Sequence, residues 1–246
     1  HILFLSTPFD EESADLLSNL GVNIFKIPSG EITNKPLIQH IAAKRKPIIL
    51  STGMSYLGEV EKSILWIDQI WDKFGQKPQL ILLHCVSNYP AAVEDINLLS
   101  IKTMKSAFGL PVGYSDHTMG IEIPIAAAAL GASIIEKHFT LDRNMKGPDH
   151  MASIEPEELK AMVKAVRNVE MALGDGIKRP VESEEDTRLI ARKSLVAARD
   201  IKKGFLFTEE NVTAKRPGNG MMPSEWDKVL GKKAKRYFKK DETIEI

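Results

Sequence analysis

Along roughly the first 175 residues, short apolar runs alternate with segments whose apolar residues recur every three or four positions. The short runs are "ILFLST" (2–7), "IFKIPS" (24–29), "PIILST" (47–52), "LILLHCVS" (80–87), "PVGYS" (111–115) and "SIIEKHF" (133–139). Between them fall helical patterns over 10–19, 34–44, 57–74, 96–107 and 120–131. A further helix follows the last run. Pro156 suits its first turn, Gly174 its end, and Leu159, Met162, Val163, Val166 and Val169 make one apolar stripe. Strands apolar on both faces, alternating with helices, predict a parallel sheet covered by helices.

Polar residues at the ends of the runs distinguish a barrel from an open sheet. Thr7, Ser29, Ser51, Ser87, Ser115 and His138 each sit at the C-terminal end of a run, at separations of 22, 22, 36, 28 and 23 residues. A (β/α)8 barrel gathers its site from many strands at that face. An open doubly wound sheet concentrates it in one crevice, usually beside a Gly-rich first turn, and no G-x-G-x-x-G is present. The barrel is therefore the expected fold. Only six runs are visible, so closing eight strands takes two more, and these are expected to precede His1.

Beyond about Asp186 the pattern changes to short β-like runs and turn signals with no long amphipathic helix. The expected division is a barrel domain over 1–186 and a small β-rich module over 187–246. Residues 192–246 carry 14 basic and 8 acidic side chains, against 19 and 25 over 1–191. A basic module joined to an acidic barrel is either two solvated faces or a means of docking between modules, with the basic one helping to hold an anion. The whole chain is neutral, with 33 basic and 33 acidic residues, so no global field points to nucleic acid or membrane. No apolar run reaches the ~20 residues of a membrane span, and no signal peptide opens the chain. A single cysteine, Cys85, excludes an internal disulfide and fits a reducing cytoplasm.

"VGYSDHT" (112–118) places Ser115, Asp116 and His117 in succession. Neighbours on a strand point to opposite faces, so Ser115 and His117 share a side and Asp116 turns away. That geometry is poor for a Ser-His-Asp triad, and no G-x-S-x-G elbow accompanies it. A metal reading fits better: "IIEKH" sets His138 at the same level on the next strand, and two imidazoles can bind one face of a divalent ion. Asp116 and Glu136 lie beside them in sequence. Mn²⁺, Zn²⁺, Fe²⁺ and Co²⁺ all suit such ligands. Lys26 interrupts an otherwise buried strand, where an ammonium needs a partner. Either it pairs with a nearby carboxylate such as Glu31, or it is directed at a bound anion. Ser29, Ser51 and Ser115, with Gly30 and Gly53 easing backbone approach, would add donors to a phosphate or carboxylate pocket. In "KRPGNG" (215–220), Arg216 and Pro217 enter a tight loop, and the arginine could cover a neighbouring site.

The strings "STPFD", "FKIPSGEITNKPLI", "KPIILSTGM", "LLHCVSNYP", "GYSDHT", "GASIIEKHFTLD", "GPDHMAS" and "KRPGNG" resemble the bacterial sialic acid synthase (N-acetylneuraminate synthase) family, with its C-terminal antifreeze-like (SAF) module. The resemblance runs through nearly the whole chain in order. It implies a (β/α)8 TIM barrel plus SAF domain that condenses phosphoenolpyruvate with N-acetylmannosamine to give N-acetylneuraminate and phosphate. The alternatives are a synthase for legionaminic or another nonulosonic acid, or a non-catalytic carbohydrate-binding relative. "GPDHMAS" is more similar to the neuraminate and legionaminate branches than to the pseudaminate one. Under the resemblance, His117 and His138 hold the metal, with Mn²⁺ the expected ion. Phosphoenolpyruvate contacts fall on Thr7, Lys26, Ser29, Ser51 and Ser115. Sugar contacts fall on Glu31, Tyr89 and Asp149, and Arg216 reaches in from the other protomer of a domain-swapped homodimer. Ser87 stands where some members carry Asn. Lys26 would hold the enol phosphate in attack geometry, and Glu136 is the candidate for proton transfer or water activation, or else pairs with Lys137 or Lys26. A different phosphoenolpyruvate-condensing barrel, such as a 3-deoxy-sugar-phosphate synthase, would need a second phosphate site, and no further basic cluster marks one.

Overall fold

The computed structural model describes residues 2–246. Residues up to Asp175 form one compact unit and Gly176–Ile246 a second.

In the first unit helices and strands alternate. They are α1 (Glu11–Asn19), β1 (Phe25–Ile27), α2 (Lys35–Ala42), β2 (Ile48–Ser51), α3 (Leu57–Phe74), β3 (Leu80–Cys85), α4 (Ser100–Phe108), β4 (Val112–Asp116), α5 (Glu122–Ala129), β5 (Ile135–Lys137) and α6 (Pro156–Leu173). Their ends are set by local chemistry. Asp10 caps α1 by accepting from the Ser13 amide at 2.6 Å, and Asn34 caps α2 from the Leu37 amide. Gly75 and Gly109 end α3 and α4 at φ 63° and 64°, a conformation that costs glycine no Cβ clash.

The five strands are parallel and hydrogen-bonded in the order β1-β2-β3-β4-β5, a curled part of a barrel. Alternation sorts their side chains. Phe25, Ile27, Ile48, Leu50, Leu80, Leu82, Val112 and Tyr114 face outward into the main core under the helices. Ile49, Ile81 and Leu83 form a separate inner cluster with Ile24 and Ile134. At ~1.5–3 kcal/mol per fully buried large side chain, this two-sided burial supplies the sheet's main stabilisation. Moving toward the strand C-termini, the inward positions turn polar: Lys26, Ser51, Ser115 and Glu136.

The run 2–7 departs from expectation. It forms no strand, and no backbone hydrogen bond among the described residues ties it to β1. Ile2, Leu3 and Phe4 are exposed. The composition is strand-like, but a strand exists only through its ladder, and this run has none.

The second unit holds α7 (Glu185–Ala191), the antiparallel pair β6 (Ser194–Ala197) and β7 (Val212–Lys215), and the single turn α8 (Trp226–Val229). Its own core includes Leu195, Phe207, Val212, Val229, Phe238 and Ile244, with the Phe207 and Phe238 rings edge to face at 5.7 Å. Among the described residues, no helix of the chain is long and apolar enough to cross a membrane.

Candidate functional site

The strand C-termini of the first unit and the loops after them enclose a cavity of about 400 Å³. β1 supplies Lys26, and the turn after it supplies Ser29 and Gly30. β2 supplies Ser51, and β3 with its loop supplies Cys85, Ser87 and Tyr89. Ser115 and His117 come from β4 and its end, Glu136 and His138 from β5 and its end. Phe9, Pro28 and Met54 complete the wall.

Lys26, only 8% exposed at its side chain, bonds to Glu136 at 3.2 Å rather than to Glu31. Glu31 instead accepts from Asn34 at 2.6 Å, tying it to the cap of α2. Of the two pairings the sequence leaves open for Lys26, the structure takes the one between strands 110 residues apart and not the one with the nearby Glu31. Ser115 Oγ also donates to Glu136 Oε1, at 2.7 Å. Ser29 Oγ accepts from the Gly53 amide at 3.0 Å and lies 3.0 Å from Cys85 Sγ. A side chain at Gly53 would have to displace its neighbours: a Cβ there would stand 2.4 Å from Ser87 Oγ and 2.8 Å from both Cys85 Sγ and Ser29 Oγ. Ser51 is 1% exposed. Its Oγ is the sole buried side-chain N/O atom among the described residues with no hydrogen-bond partner. An unmade hydrogen bond in a dry place costs roughly 1–3 kcal/mol, so a donor left open at a cavity wall marks a place for a ligand.

The two histidines meet at the other side of the cavity. Their ring centres are 5.3 Å apart at 66°, and Tyr89 packs against both, at 4.1 Å from His117 and 5.3 Å from His138. His117 Nδ1 donates to the Val86 carbonyl at 2.6 Å, which leaves Nε2 with its lone pair free. Burial holds its imidazole below the ordinary range, an effect only partly opposed by that carbonyl. A neutral ring is the ligating form. A metal–nitrogen bond of about 2.1 Å puts the ring centre roughly 3 Å from the ion, so rings at this separation fit one shared ion. Among the described residues, no group of three or more His, Cys, Asp or Glu side chains forms a metal cage. A cation here would have two protein ligands and open positions. Asp116 does not join them: it is fully buried on the opposite side of β4 and is engaged by Tyr114 and Lys137.

Of the other sequence-derived candidates, Asp149 Oδ2 lies 3.8 Å from His138 Nδ1 without lining the cavity. Neither Thr7 nor Glu31 lines it. Arg216 belongs to the second unit, where its Nε donates to the Ala191 carbonyl at 2.9 Å. Cys85, Phe9 and Met54 line the cavity although the sequence marks no role for them; for Cys85 the signal is its place as an inward residue of a strand end.

The chain is 55% identical over 99% of its length to the N,N'-diacetyllegionaminic acid synthase of Campylobacter jejuni, and covers 72% of that protein. It is 42% identical over 97% of its length to the pseudaminic acid synthase of the same organism, covering 68%. Among solved structures, an N-acetylneuraminic acid synthetase of Leptospira borgpetersenii in complex with citrate superposes with a TM-score of 0.68 at 42% identity. That match covers 76% of this chain and 63% of that one. Residues 192–245 match the SAF domain. With residues 1–178 matching the family model as well, the chain belongs to the NeuB family.

Proposed function

We propose that this chain acts as a nonulosonic acid synthase of the legionaminate type. In this reading it joins the methylene carbon of phosphoenolpyruvate to the carbonyl carbon of an open-chain acetamido sugar, with addition of water and release of phosphate. The observation that carries the reading is the donor cradle around the orphaned Ser51 hydroxyl. Lys26, Ser29, Ser51 and Ser115 all line one cavity, and Ser51 is buried with its hydrogen bond unmade. An anion with several acceptor oxygens answers that arrangement. The 55% identity to a diacetyllegionaminate synthase favours a diacetamido sugar over N-acetylmannosamine. Two N-acetyl groups in the product have no source in phosphoenolpyruvate, so the sugar must bring both.

The residues then divide the work. Lys26 and the serines hold the enol phosphate with its methylene carbon toward the sugar. When the anion takes over the Lys26 ammonium, Glu136 is released to accept a proton from the water that adds to C2. Tyr89, packed at a tilt on His117 and edge-on to His138, forms a wall against which the sugar lies. A divalent cation held by His117 and His138 would supply Lewis acidity toward the sugar's carbonyl oxygen. The reading includes a cytoplasmic homodimer in which Arg216 of one SAF module reaches the partner's cavity, supported by the family resemblance of the "KRPGNG" loop.

The test is phosphate release from phosphoenolpyruvate with Mn²⁺ and, in separate reactions, a 2,4-diacetamido sugar and N-acetylmannosamine. Sugar-dependent release with higher kcat/KM for the diacetamido sugar is expected. No sugar-dependent release from either substrate would overturn the reading.

A further inference from the structure

Asp116 immediately precedes His117, and Lys137 immediately precedes His138. The β4–β5 register pairs Asp116 with Lys137 as its last rung. Alternation sends the two histidines into the cavity and the two charged residues to the opposite side of the sheet. There the Lys137 ammonium lies 2.5 Å from Asp116 Oδ2 and 2.6 Å from the Thr118 carbonyl. It thus grips the residues on either side of His117. Asp116 Oδ1 accepts from Tyr114 OH at 2.9 Å, the Thr118 amide at 3.0 Å and the Thr118 hydroxyl at 2.8 Å. Both oxygens of that carboxylate are thereby engaged. Burial first, and the Asp116 charge second, push the Tyr114 phenol far up, so it stays a donor.

An ion pair with side chains 2% and 0% exposed is an expensive way to stabilise a fold. Apolar residues of similar volume usually serve as well. What such a pair adds is a fixed geometry. β5 joins β4 through only three residue pairs, so the gap between His117 and His138 is only as well defined as that short ladder. The ladder is cross-linked by side chains on both faces: Ser115 to Glu136 on the cavity side, Asp116 to Lys137 behind it.

We propose that the buried Asp116–Lys137 pair is a positioning clamp that sets the spacing of the His117–His138 imidazoles for one shared cation. Neither residue touches the cavity; both act through the histidine that follows them. The proposal rests on the two-histidine metal reading given above.

The test is Mn²⁺ titration followed by electron paramagnetic resonance of the free ion, alongside thermal melts and metal-free phosphoenolpyruvate binding. It compares the wild-type chain with the double variant Asp116→Asn/Lys137→Met. That variant keeps the acceptor for Tyr114 and Thr118 and leaves no unpaired buried charge. The clamp predicts a cooperative melt close to wild type, unchanged phosphoenolpyruvate affinity, and Mn²⁺ affinity weaker by about 10–100-fold, the usual effect of losing outer-shell support. Mn²⁺ affinity indistinguishable from wild type in the folded variant sinks the clamp alone. Loss of the cooperative melt also sinks it, because the pair then carries the fold and not the spacing. A wild-type chain that binds no Mn²⁺ takes down the metal reading and the clamp together.

Discussion

The Lys26 ammonium stands 3.2 Å from each oxygen of the Glu136 carboxylate, joining the first and last strands of the sheet beside the cavity that both residues line. Neither strand end is a neighbour of the other in the ladder, so this contact spans the site. It gives the buried ammonium a counter-charge that a bound anion can replace.

Lys26→Ala removes the cationic contact to phosphoenolpyruvate and leaves Glu136 facing the anion without its partner. A charge-assisted hydrogen bond contributes about 1.5–3 kcal/mol, so the KM for phosphoenolpyruvate should rise roughly tenfold to a hundredfold. The sugar KM should change little. Steady-state kinetics with each substrate varied in turn checks this; equal rises in both constants would contradict an anion-holding role for Lys26.

Ser51→Ala separates binding from stability. The hydroxyl has no partner in the free chain, so deleting it breaks no hydrogen bond and relieves the burial of a polar group. The melting temperature should stay level or rise, while phosphoenolpyruvate binding weakens by about 0.5–1.5 kcal/mol, roughly two- to tenfold. Calorimetric binding beside a thermal melt reads both. A fall in stability with unchanged binding would show that the hydroxyl works for the fold.

Much of this site is legible in the chain because a buried strand records its environment at every second residue. Lys26 amid apolar neighbours signals a special place, and the inward sharing of Ser115 and His117, with Asp116 turned away, follows from the pleat alone. What the period does not carry is which distant strand supplies a partner. Glu31, five residues from Lys26, and Glu136, 110 residues away, are both open as its partner from residue type, and the meeting of distant strands chooses Glu136. The run 2–7 fails for the same reason: its composition is local, while its ladder would have to come from elsewhere. Phe9 and Met54 escape notice because cavity walls built from loops have no repeat to betray them, whereas Cys85 stands in the strand period and is marked only by its inward place. The Asp116–Lys137 pair is hidden too, since two adjacent Xaa-His dipeptides reveal a clamp only once the register is known.

Gly53 tests how tightly the cavity floor is built. An alanine Cβ would press on Ser87 Oγ, Cys85 Sγ and Ser29 Oγ at once, so three side-chain tips from two segments must swing aside together, with the Ser29 hydroxyl leaving the Gly53 amide it accepts from. Gly53→Ala should cost about 1–3 kcal/mol of stability, the usual range for overpacking. It should also displace Ser29, so phosphoenolpyruvate binding falls with it. Chemical denaturation and ligand titration measure the two effects; a variant matching wild type in both would mean the floor is pliable.

His84 gives the fold a pH dependence of predictable sign. Its ring lies on the helix side of β3, with Nε2 donating to the Ile96 carbonyl at 2.6 Å and its face 5.9 Å from Tyr114. Burial holds its pKa below the ordinary 6.5, and the carbonyl contact offsets only part of this. The unfolded chain therefore takes up a proton at a pH where the folded one does not, and stability rises with pH across that window. The contribution is fully present above 6.5 and is lost as pH falls through the depressed folded value, at no more than about 1.4 kcal/mol per pH unit. His84→Gln retains a donor for Ile96 but cannot titrate. Its melting temperature should fall less steeply than that of the wild type as the solution is acidified from neutrality to about pH 5. Parallel curves for the two proteins over that range would show that the imidazole takes no part in the acid sensitivity of the fold.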